Sequence, residues 1–64
     1  MHKSPHPIYL YPENGTWIAQ HTDPMIIGLF GTDKLTTAYT SDMSADRVVG
    51  LVSDKFPQYD VLEK

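Results

Sequence analysis

Three histidines, eight carboxylates and one lysine behind a pair of glycines are the residues of this 64-residue chain whose types could do chemistry. His2, His6 and His21 could gather on a transition metal. Two of them lie in the proline-broken stretch MHKSPHP, whereas a zinc site wants three or four ligands held on rigid elements. Solvated histidines are the favoured reading, and no metal site is expected. The run Gly28-Leu29-Phe30-Gly31-Thr32-Asp33-Lys34 is the nearest approach to a phosphate loop. In a Walker A loop the lysine directly follows the last glycine, and here Thr32 and Asp33 intervene. A GXXG clamp on nucleic acid would want basic residues between the glycines, and Leu29 and Phe30 stand there instead. Asp42, Asp46, Asp54, Asp60 and Glu63 are scattered, whereas general acid–base catalysis needs two groups converging in a dry cleft. A chain this short has little volume for such a cleft. No serine carries a nucleophile-elbow pattern. The expectation is a protein without catalytic residues, bound cofactor or enzymatic activity.

The aromatic residues are more informative. Tyr9, Tyr11, Trp17, Tyr39 and Tyr59 fall in stretches that read as strands or their approaches. Two short helices can cover one face of a sheet. Tyr9, Tyr11 and Trp17 would then form an exposed patch on the other face, or else roof the core. Exposed aromatic patches mark partner surfaces, because Tyr and Trp anchor interfaces at low entropic cost. Tyr9, Tyr11 and Trp17 are therefore the first candidate partner-binding residues, and Phe30 is the next. On this reading Trp17→Ala weakens association and leaves the fold intact.

Charge and composition narrow the partner. Five Lys and Arg stand against eight Asp and Glu, a formal net charge of −3. A basic stripe for counterion release on nucleic acid is missing, which argues against both duplex binding and an aromatic stacking platform for single strands. Apolar residues make up 41% of the chain, enough for a core. Cysteine is absent, so neither a disulfide nor a thiolate metal site can staple the fold. A domain of this size buries only ~60% of its unfolded surface, so association with a partner or a second copy would add needed burial. The longest apolar run, Met25 to Phe30, is far short of a bilayer span, and no apolar segment follows MHKSPHP as in a secretory signal. A cytoplasmic protein of bacterial or phage type, without membrane contact, is expected.

The elements that must position these residues are legible in turn. Residues 1–7 read as a mobile tail and residues 8–64 as one small domain. IYLYPENGTWIAQ, residues 8–20, reads as a β-hairpin on Asn14-Gly15, both of which tolerate positive φ. A two-residue turn pairs Leu10 with Ala19 and Tyr11 with Ile18. A three-residue loop with a glycine bulge pairs Leu10 with Ile18 and Tyr11 with Trp17. The second register is preferred, because it separates an aliphatic face (Ile8, Leu10, Ile18) from a face of Tyr9, Tyr11, Trp17 and Ala19.

In DPMIIGLFG, Asp23 suits an N-cap, Pro24 the first helical position, and Gly31 the left-handed closing residue. The run between them reads as two helical turns, with a strand as the competing reading of so short an apolar run. Gly28 costs this helix ~1 kcal/mol, which close approach to a strand would explain. KLTTAYT, residues 34–40, alternates as a strand. DMSADRVVGLVSDKFP, residues 42–57, reads as an amphipathic helix with Ser44 as N-cap and a staple from Met43 to Val48. Ala45, Val48, Val49, Val52 and Phe56 share its apolar side, and Pro57 ends it. Residues 58–63 read as a final strand.

The order is β-β-α-β-α-β. It predicts an α+β fold of two layers: a three- to four-stranded, mainly antiparallel sheet with both helices on one face. The unit from residue 35 to residue 62 suits a right-handed parallel crossover.

The stretch LFGTDKLTTAYT, followed by an amphipathic helix ending KFPQYDV, resembles small bacterial proteins with a leucine-phenylalanine-glycine-threonine pattern. That resemblance implies only a compact α+β fold and brings no activity with it to this chain. The hairpin–strand–helix–strand order is also similar to antitoxins of the HicB type, to which the helix at residues 24–30 is an addition. The expectation that follows is a non-enzymatic protein–protein interaction module, acting on a protein partner or on itself as a homo-oligomer. The alternative is an antitoxin-like or nucleic-acid-binding regulator, whose binding would weaken steeply with salt.

Overall fold

The computed structural model describes residues 3–64. Its elements follow the chain as β1 (Ile8–Glu13), β2 (Thr16–Gln20), α1 (Pro24–Phe30), β3 (Lys34–Thr40), α2 (Ala45–Lys55) and β4 (Val61–Glu63). The strands form one sheet in the order β3-β2-β1-β4. β1 pairs antiparallel with β2, and β2 with β3, while β4 runs parallel to β1. This is the expected α+β fold. The crossover is wide: β3 and β4 point the same way from opposite edges of the sheet, joined through α2.

The hairpin register differs from the preferred one. Leu10 lies opposite Ala19, Tyr11 opposite Ile18 and Pro12 opposite Trp17. Asn14 and Gly15 take φ of 53° and 83°, the paired left-handed geometry of a two-residue turn whose twist matches the strands. Turn geometry therefore decides the register, and side chains sort by fit to the core rather than by aromatic or aliphatic type. Ile8, Leu10, Trp17 and Ala19 share the inner face. Tyr9, Tyr11 and Ile18 share the outer one.

The core forms where α2 lies on that inner face. Val48 and Val52, four residues apart, press against Ile8, Leu10, Trp17, Ala19 and Val61. Ser44 caps the helix as expected, its hydroxyl accepting from the Arg47 amide. Met43 packs against the core just before it. The expected final strand is shorter than residues 58–63. Tyr59 turns inward to fill the core instead, and pairing with β1 begins only at Val61.

Of the expected tail, Met1 and His2 lie outside the described residues. The Ser4 amide donates to the Gln58 carbonyl at 2.7 Å, and the Thr22 hydroxyl donates to the Pro7 carbonyl at 2.8 Å. Ser4 is thereby tied to the segment that leads into β4, and Pro7 to the residues between β2 and α1. Among the described residues no helix is long and apolar enough to cross a membrane.

Candidate functional site

α1 begins and ends as its residues dictate. Asp23 is extended, and its carboxylate accepts from the Met25 amide at 3.0 Å. Pro24 occupies the first turn, and Gly31 closes the helix at φ 74°, its amide donating to the Ile27 carbonyl at 2.8 Å. Ile26 packs against the core, the same cluster that α2 covers, so both helices sit on one side of the sheet. Ile27 is half-buried, and the remaining residues of the helix are exposed. Met25 is 73% exposed, Leu29 75% and Phe30 56%. Met25 and Leu29, four residues apart, stack on one side, with Gly28 beside them.

Close approach of a strand does not explain Gly28. A Cβ built there meets nothing within 4 Å. Its helix cost, ~1 kcal/mol relative to Ala, is uncompensated by any contact among the described residues. α1 also carries no acidic residue in its first turn and no basic residue in its last, so it forgoes the usual favourable charges at helix ends.

What fixes this helix to the domain is its cap. The Tyr59 hydroxyl donates to the second oxygen of the Asp23 carboxylate. One carboxylate thus joins the start of α1 to the buried ring that precedes β4. The Tyr59 hydrogen bond, followed by that from the Met25 amide, holds the Asp23 carboxyl below its ordinary pKa. The same bond raises Tyr59. Next to it, His21 is 3% exposed and set edge-on to Phe56, with ring centroids 5.6 Å apart. Burial lowers its pKa, and the nearby Asp23 charge opposes this only in part. His21 was legible as a chemical residue but not as a buried one. The signal was its parity, because it continues the inward alternation of Trp17 and Ala19.

Both shifts make the fold acid-sensitive. The folded pKa of His21 lies below its ordinary 6.5, so as pH falls through 6.5 the unfolded chain takes a proton that the folded chain does not. Stability therefore drops below about pH 6.5. It drops again below the ordinary 3.8 of Asp23 as that carboxylate is protonated. Urea unfolding across pH 5 to 8 checks the first step: His21→Phe, which keeps an aromatic ring beside Phe56, flattens the decline.

The candidate partner residues are divided. Trp17 is 4% exposed, and its indole N–H donates to the Met43 carbonyl at 3.2 Å. It belongs to the core, on the opposite face from Tyr9 and Tyr11. Those two are half-buried on the outer face. The Lys64 ammonium lies 5.3 Å over the Tyr11 ring and donates to Gln20 at 2.9 Å, so this face is partly covered by its own polar side chains. Phe30 is exposed, together with Met25 and Leu29, which sequence reasoning placed only inside an all-apolar helix. No protein-family model, curated protein or solved structure matches the chain.

Proposed function

We propose that the chain is a non-enzymatic protein–protein interaction module that presents α1 to a groove on another protein. The observation that carries this reading is the apolar outer side of α1, with Met25, Leu29 and Phe30 each more than half exposed. Met25 and Leu29, at i and i+4, share one face of the helix, with Phe30 beside Leu29 at its end, and exposed apolar side chains so placed suit insertion into an apolar groove. Gly28 supports it too, since a glycine that nothing in the domain approaches leaves room for a partner's backbone. Three side chains on two turns are too few for a flat contact of one α1 on another, given the ~800 Å² that each partner of a standard interface buries. A groove that wraps the helix buries more per residue.

The test is site-specific photo-crosslinking in the native host. A benzophenone side chain at position 29 should give one discrete adduct with a different protein. The same probe at Thr36, exposed on β3, should not. An adduct of twice the chain mass assigns the patch to self-association and overturns the groove reading. Equal labelling from both positions removes the patch from consideration.

A further inference from the structure

α2 crosses the sheet toward β4, and β3, at the far edge, is left incompletely roofed. A cavity of about 270 Å³ opens there. Leu35 and Tyr39 line it from β3, Val52, Lys55 and Phe56 line it from α2, and His21 lines it from the end of β2. Its polar features are few and specific. The His21 ring is almost wholly buried, and its Nδ1 has no hydrogen-bond partner among the described residues. A buried polar atom without a partner is costly and calls for an explanation. A neutral imidazole offers one donor and one acceptor, and His21 is part of the cavity wall. Among the described residues Lys55 is the one Lys, Arg, Asp or Glu lining the cavity. Its ammonium sits 5.6 Å over the Tyr39 ring. Among the described residues no carboxylate lines the space, although the chain as a whole is acidic.

We infer that this cavity binds a small monocarboxylate with a compact, largely apolar body, its carboxylate on Lys55 and a polar group of the body against His21. The volume falls just under the ~300–1,000 Å³ of pockets for drug-sized ligands, which limits the occupant to a single ring or a short branched chain. The apolar walls supply the burial, and the lone cation supplies the preference for an acid. This site is independent of the outer side of α1, and either can fail without the other.

Amide chemical-shift mapping by NMR of the whole chain tests it, with para-hydroxyphenylacetate as the probe. Low-millimolar probe should give saturable shifts at Ala19, His21, residues 35–39 and residues 52–56. The neutral alcohol of the same shape should bind more weakly by up to about fivefold, the most an exposed ion pair ordinarily supplies. Lys55→Met, at an exposed position, should abolish that preference without touching the core. Phenylacetate, which lacks the hydroxyl for His21, should bind more weakly than the hydroxylated probe. Absence of saturable shifts at these residues overturns the site. Retention of the acid preference in Lys55→Met, or equal binding of the two acids, overturns the assignment of Lys55 or of His21.

Discussion

Trp17→Ala should remove a large share of this domain's stability. Truncating a buried Trp costs about 3–5 kcal/mol. A chain of 64 residues has only about 3–10 kcal/mol of stability in total, at ~0.05–0.15 kcal/mol per residue. The indole fills the space between Leu10, Ala19 and the valines of α2, and its N–H occupies the Met43 carbonyl. Removing it opens a cavity and strips that carbonyl of its partner together. In a domain of this size each kcal/mol moves the thermal midpoint by about 4–8 °C, so the midpoint falls by well over ten degrees, as circular dichroism melting would show. A variant that melts like the parent would place Trp17 at the surface, in the register the turn geometry rejects.

The reverse pattern is expected on α1. In the triple variant Met25→Glu, Leu29→Lys, Phe30→Lys, three exposed apolar side chains become charged. Each new charge also has the sign that suits its end of the helix, worth about 0.3–1 kcal/mol apiece. The thermal midpoint should hold or rise. Binding to the partner captured by crosslinking should fall by about a hundredfold or more, since anchors of this kind contribute ~2 kcal/mol or more each. Calorimetric titration against that partner measures it. Unchanged affinity would exclude α1 as the contact surface, and a large loss of stability would show that the patch packs within the domain.

These two outcomes mark where sequence was a good guide and where it was not. Local signals were realised residue by residue: Asp23, Pro24 and Gly31 bound α1, Ser44 caps α2, and Asn14-Gly15 makes the turn. Each acts within a few residues, so its chemistry is complete in the local sequence. The hairpin faces were misassigned because two registers satisfy the same alternation, and segregating rings from aliphatic chains is not what a small core selects. Trp17 joins the core cluster with Val48, Val52 and Leu10, and Tyr9 and Tyr11 stay half-buried on the outer face. Tyr59 was read as a strand residue, because the partner that turns it inward, Asp23, lies 36 residues away. The cavity lay beyond reach for the same reason: it is bounded by β2, β3 and α2, and is a property of how far α2 reaches across the sheet.

The parallel pairing of β1 with β4 also sets an order on assembly. The hairpin and β3 are neighbours in the chain and can close early, on the microsecond scale of local β-structure. Ile8, fully buried in the finished fold, pairs with Val61, at a sequence separation of 53. During synthesis, then, the first strand emerges with one edge bare and stays so until almost the whole domain has been made. Long-range closure of this kind is slow because chain entropy is lost before contacts compensate. Until β4 arrives, the unpaired edge of β1 is open to any other nascent chain, so the interval of greatest aggregation risk falls before folding is complete rather than after.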